Sequence, residues 1–141
     1  MLKVTSIDKG LVIDHIPQGE GIKIFHFLNL DKVKYRVALL MNVPSEKMGW
    51  KDIIKIENEI SMNLDILSII NDKITINIIE AGKIIKKYHP AIPKVINQIK
   101  CKNPRCVTSV ENIQNQFNLI NKKTKEYSCQ YCEEIIKLNT L

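Results

Sequence analysis

Aromatic side chains are scarce in this chain of 141 residues: they fill 6% of positions, and Trp50 is the single tryptophan. Nowhere do Phe and Tyr interleave with Lys and Arg as a base-stacking platform would require, which argues against a surface that reads single-stranded nucleic acid. Long apolar runs are missing too. Those present, such as the one around Ile66 to Ile70, fall far short of the roughly 20 residues that span a bilayer as a helix, so no membrane partner is expected. The first residues, Met1 to Asp8, contain no apolar core of an export signal. These absences place the chain in the cytoplasm, where thiols stay reduced. The Walker loop, Gly-x-Gly-x-x-Gly and Gly-x-Ser-x-Gly are all absent. There are no internal repeats and no assembled catalytic constellation, so the chain reads as a non-enzyme. The formal net charge is +6, but the lysines are spread along the chain without a block of about five or six like charges. They read as solvated faces, and no nucleic-acid partner is expected.

Against these absences stand four cysteines, all in two short pairs, Cys101-Lys-Asn-Pro-Arg-Cys106 and Cys129-Gln-Tyr-Cys132. Two turns of this kind each deliver two thiolates to one point, and a tetrahedral Zn²⁺ takes four sulfurs at about 2.3 Å. Asn103 and Pro104 suit the first turn, because asparagine tolerates unusual backbone angles and proline fixes φ. Two disulfides or four unrelated thiols are the other readings, and disulfides need an oxidising compartment. Four cysteines would leave a zinc ion no open position for water, so the metal is expected to be structural.

Hydrophobic residues make up 45% of the chain, enough for a core. Leu2 to Asp8 and Leu11 to Ile16 read as strands joined by a Lys9-Gly10 turn, and Gly21 to Leu30 as a helix packed on a sheet. Tyr35 to Met41 and Trp50 to Glu57 follow as strands. A second helix begins near Ser61 or Asn63, with Leu64, Leu67 and Ile70 as its apolar stripe. Ile74 to Glu80 and Lys83 to Lys87 are strands joined at Ala81-Gly82. This order is the split βαβ plan: an α+β, ferredoxin-like antiparallel sheet with two helices on one face. Pro90 and Pro93 interrupt regular pairing, so a boundary is expected at 90/91, giving an N-terminal domain over 1–90 and a small all-β, zinc-ribbon-like domain over 91–141. The latter is too short for a core of its own and needs the metal. Thr108 to Val110, Phe117 to Ile120 and Lys125 to Ser128 are its expected strands.

Among the polar residues, Asp14 and His15 sit side by side at a strand end. Neighbours on a strand point to opposite faces, so they are a poor catalytic pair. They read either as ribose and phosphate contacts or as a solvated strand end. Lys87, beside Lys86, has the same two readings. Lys51 and Lys55 share a face through their even offset.

Taken together, Gly10-Leu-Val-Ile-Asp-His-Ile-Pro17, Met48-Gly-Trp-Lys-Asp-Ile-Ile-Lys-Ile-Glu-Asn58 and the cysteine pattern ending Cys129-Gln-Tyr-Cys-Glu133 resemble the regulatory chain of aspartate carbamoyltransferase over essentially the whole length. The resemblance implies a non-catalytic subunit of pyrimidine biosynthesis whose N-terminal domain binds CTP and ATP and pairs with a second regulatory chain. Its zinc domain would dock on the catalytic chain, linking catalytic trimers. It also implies sites: Asp14 and Lys55 near the ribose, and His15, Asn77 and Lys87 near the phosphates. Main chain around Ser6 to Ile7 and Gly82 to Ile84 would lie at the base edge, the four cysteines on zinc, and Asn103 and Glu133 toward the catalytic chain. Familiar members have a longer segment before the first strand and a bulkier residue where Gly82 stands. A stand-alone zinc-ribbon protein binding nucleic acid through its basic surface is the competing reading.

Overall fold

Strict alternation decides the N-terminal architecture. In the computed structural model, which describes residues 7–58 and 64–138, the chain forms two compact units, Met1–Pro90 and Ala91–Leu141. In the first, β1 (Gly10–Pro17), β2 (Val37–Ser45), β3 (Gly49–Glu57), β4 (Thr75–Glu80) and β5 (Lys83–Tyr88) make one antiparallel sheet in the order β2-β3-β1-β4-β5. β1 and β2 are joined through the helix α1 (Gly21–Phe27) and run parallel with β3 inserted between them; β3 and β4 run parallel with β1 between. That arrangement is the split βαβ plan.

Register puts Ile13 opposite Ile54 and Ile76, and Leu11 opposite Ile56. These side chains are buried, as are Ile24 of α1 and Leu64, Ile66, Leu67 and Ile69, each contributing about 1.5–3 kcal/mol by leaving water. The other face of the sheet carries the alternate residues: Ala38, Lys55, Val12, Asn77 and Lys87 form one cross-strand row through all five strands.

Several boundaries differ from the sequence reading. Gly10 opens β1 instead of lying in a turn. Its φ is +152°, and a Cβ there would stand 2.0 Å from the Ile56 carbonyl oxygen, so only glycine passes. The strand expected from Leu2 falls mostly outside the described residues, as do Ser61 and Asn63, the expected helix caps. What is described of the second helix is a 3₁₀ helix, Asp65–Ile69.

In the second unit, β6 (Val95–Ile96), β7 (Phe117–Asn121), β8 (Glu126–Cys129) and β9 (Ile135–Lys137) form a four-stranded antiparallel sheet in that order. Thr108 to Val110, expected as a strand, belong to the helical turn α2 (Val107–Val110). The backbone is already curling around Cys106 there, so local geometry overrides the β-propensity of Val and Thr. β6 and β9 were too short to be legible. Ile96, Phe117 and Tyr127 fill a small core beside the cysteines, and the Tyr127 hydroxyl donates to the Pro93 carbonyl at 2.8 Å.

Among the described residues no helix is long and apolar enough to cross a membrane.

Candidate functional site

The four cysteine sulfurs converge within 4.8 Å of one another. Cys101 Sγ lies 3.7 Å from Cys132 Sγ, and Cys106 Sγ 3.7 Å from Cys129 Sγ. A disulfide closes to about 2.05 Å, so these are free thiols. Four sulfurs on a tetrahedral ion with bonds of about 2.3 Å stand about 3.8 Å apart, and the donor set fits. Local turns make the cage. The Cys106 amide donates to the Asn103 carbonyl at 3.1 Å, and the Glu133 amide to the Cys129 carbonyl at 2.9 Å. Asn103 Oδ1 accepts from the Arg105 amide at 3.0 Å, and Glu133 takes a φ of +61° that closes the second turn. Burial pushes the Cys101 thiol up to about 12. The Thr108 hydroxyl, 3.1 Å from Cys106 Sγ, pulls that thiol down to about 7, so Cys106 is poised to ionise, as a metal ligand must.

The second cluster lies on the open face of the N-terminal sheet. Its centre is the row Lys55–Val12–Asn77–Lys87, set by pairing alone. Asn77 is only 8% exposed, and its Oδ1 has no hydrogen-bond partner among the described residues. At one end of the row the Gly82 amide donates to the Asp8 carbonyl at 2.9 Å, tying the Ala81-Gly82 turn, with positive φ at both residues, to the segment holding Ile7. Ile84 follows on β5, 60% exposed. Ser6 lies outside the described residues. At the other end, β1 bulges. Ile13 pairs with Ile54 and Ile16 with Asp52, so Asp14 and His15 together face one partner residue, and His15 has a φ of +57°. Asp14 lies on the open face by alternation with Val12, and the bulge sends His15 to the same face, correcting the expectation that neighbours point apart.

Asp14 Oδ1 accepts from the His15 amide at 2.6 Å and pairs with Lys51 Nζ at 2.9 Å. The Thr75 hydroxyl donates to the Lys73 carbonyl at 3.3 Å and lies 3.1 Å from His15 Nδ1. Thr75 therefore accepts from Nδ1–H, which leaves Nε2 for the groove. Burial holds the His15 imidazole below its ordinary value, against the opposing effect of Asp14, and the cations of Lys51, Lys47 and Lys87 push it the same way. His15, Lys47, Met48, Asp72, Lys73, Thr75, Lys87 and His89 line a groove of about 390 Å³.

Comparison with known proteins adds a decisive observation. The family model of the aspartate carbamoyltransferase regulatory chain's allosteric domain matches residues 2–91, and that of its metal binding domain matches residues 93–141. The chain belongs to the aspartate carbamoyltransferase regulatory chain family. Its relatives agree along the whole length. The regulatory chain of Clostridium tetani is 55% identical over 141 residues, covering 98% of each chain. That of Clostridium botulinum is 53% identical over 137 residues, covering 96% of this chain and 94% of the relative. The regulatory chain of Bifidobacterium longum is 41% identical over 139 residues, covering 97% and 100%. This is accordingly a regulatory and not a catalytic chain, with an allosteric and a metal-binding domain, and its partner is the catalytic chain of aspartate carbamoyltransferase. Membership displaces the free-standing nucleic-acid reading.

Sequence reasoning left Lys51 without a partner and did not single out Lys47, Lys73, Thr75 or His89. Lys51 had an audible signal, its even offset from Lys55. The others reach the groove from three separate segments and had none.

Proposed function

We propose that the chain is an allosteric subunit that binds nucleoside triphosphates, CTP and ATP, on the open face of its N-terminal sheet. The observation that supports this best is the buried, unpartnered Asn77 Oδ1 in a row with Lys55 and Lys87. A buried polar atom costs about 1–3 kcal/mol unless something bonds it, and a ligand hydroxyl or amino group would. Asp14 and Lys55 would serve the ribose. His15, Asn77 and Lys87 would serve the phosphates through charge-assisted bonds. The main chain at Ser6, Ile7, Gly82 and Ile84 would meet the base edge, where donors and acceptors distinguish a 4-amino pyrimidine from a 4-oxo one. The Gly82 amide is engaged by Asp8, so at that residue the carbonyl is the group to offer.

Zinc is the metal this reading assigns to Cys101, Cys106, Cys129 and Cys132. It would supply a closed structural node that holds the two turns together. The metal domain would dock on the catalytic chain near Asn103 and Glu133. Glu133 borders a shallow groove with Asn118, Ile120, Ser128, Gln130 and Ile135, where Ile120 and Ile135 are more than half exposed. The N-terminal domain would pair with a second regulatory chain, so that dimers bridge catalytic trimers in the cytoplasm. Regulation then follows from linkage. An effector changes activity only by binding the assembly's two states unequally, typically by about 1–3 kcal/mol.

The test is the aspartate saturation curve of the partner catalytic trimer, with and without this chain and with and without CTP. A curve made sigmoidal or CTP-sensitive by the chain supports the reading. A chain that joins the trimer while CTP and ATP change nothing would leave a scaffold without effector function.

A further inference from the structure

The groove at the His15 end of the sheet has more cationic capacity than Lys55 and Lys87 account for. It opens from the Lys87 end of the cross-strand row. Thr75 lies two residues beyond Asn77 on β4, and His89 two residues beyond Lys87, each roughly 7 Å further along the sheet. Lys47 comes in from the β2–β3 hairpin on one side, and Lys73 from the turn before β4 on the other, so His15 of the central strand is flanked from both sides. Among the described residues none of Lys47, Lys73 and Lys87 is in a salt bridge, and the groove's one carboxylate is Asp72. Three ammonium groups converging on a single hollow repel one another, which an anion of several charges would relieve. The imidazoles point the same way. His89 Nδ1 lies 3.1 Å from the Ile74 carbonyl oxygen and must carry its proton there. As with His15, Nε2 is the nitrogen left for a ligand. At about 390 Å³, the hollow is also roomier than a single phosphate requires.

We propose that Lys47 and Lys73, with His89, determine phosphate-number specificity: they hold the terminal phosphates of a nucleoside triphosphate on the two flanks of the groove that Lys87 borders and Lys55 does not. The proposal rests on the nucleotide reading above and sharpens it. A monophosphate would meet only the row and His15, whereas a triphosphate reaches both flanks of the groove.

The experiment is calorimetric titration of the full, metal-loaded chain with CMP, CDP, CTP and inorganic triphosphate, repeated on Lys47→Gln, Lys73→Gln and Lys87→Gln. Lys47 and Lys73 are exposed, so their replacements should fold. Affinity should climb from CMP to CTP in the natural chain. Each of K47Q and K73Q should lower CTP affinity roughly tenfold, the scale of one charge-assisted contact, while CMP affinity holds. K87Q should weaken CMP and CTP alike. An unchanged CTP-to-CMP ratio in both flank variants would overturn the proposal, as would equal losses for the two nucleotides; in either case K87Q still reports on the nucleotide reading. If the natural chain binds none of the nucleotides, that reading fails and the proposal falls with it.

Discussion

Asn77 and His15 are the residues at which stability and function pull apart. An apolar residue of similar size at position 77 removes an unpartnered buried amide oxygen and favours the strand. Asn77→Val should therefore raise the unfolding free energy by about 1 kcal/mol in a denaturant titration while abolishing measurable CTP binding. A loss of stability would show that Asn77 is satisfied within the chain. His15 makes a pH prediction. Its value is lowered in the fold from the ordinary 6.5, so the unfolded chain takes the proton more readily. Its contribution to stability is then present above the unfolded value and is lost as pH falls through the folded one. Bound phosphate acts in the opposite direction, because its charge favours imidazolium against the cations of Lys47, Lys51, Lys73 and Lys87, alongside Asp14 and Asp72. CTP should bind more tightly as pH drops from about 8 to about 6, with proton uptake visible in buffers of different ionisation enthalpy. His15→Gln should flatten both. A CTP affinity independent of pH in the natural chain would remove His15 from the phosphates.

Among the elements, the turn after β1 and the β2 bulge are held by one buried side chain. Asp52, fully buried on β3, accepts from the amides of Gly19 and Gly21 through Oδ2, both at 3.0 Å, and from the Asn42 amide through Oδ1 at 3.1 Å. One carboxylate thus pins the β1–α1 turn, the start of α1 and the β2 bulge at Asn42. Gly21 permits the approach, since a Cβ there would lie 2.8 Å from Asp52 Cβ. Asp52→Ala strands these amides and should cost at least about 3 kcal/mol, read as a lower denaturation midpoint. A change below 1 kcal/mol would mean that water replaces the carboxylate. The strands themselves were legible because alternation is local. The bulges were not: nothing in Asp14-His15 or Met41-Asn42 announces an extra residue until a partner strand counts against it.

For the whole molecule, loss of the metal should decide whether residues 91–141 persist as a fold. Ile96, Phe117 and Tyr127 are a small core, below what a unit of that size needs unaided. Chelator or mercurial treatment should release one metal ion per chain and flatten the backbone amide signals of 91–141, while those of 7–58 remain dispersed. It should also abolish assembly with the catalytic trimer. Assembly that survived metal loss would overturn the structural role. Cys106→Ser should weaken metal binding strongly, since it removes one of the four converging sulfurs.

What the sequence by itself determined is the chemistry that acts over short range. Two cysteine pairs on tight turns are legible as one four-sulfur site from their spacing, and alternating Ile and polar residues specify strands and a buried face. The family follows from the same local strings. Only the tertiary structure decided which polar residues share a surface. The row of Lys55, Val12, Asn77 and Lys87 exists because four strands pair in one register. Asp14 shares its face by alternation with Val12 and His15 joins them because a bulge shifts the register by one residue, and Lys47, Lys73 and His89 meet around them from segments far apart in the chain. Register is fixed by burying Ile13, Ile54 and Ile76 against one another. The polar face is thus positioned by the energetics of the opposite one, which no single stretch of sequence contains.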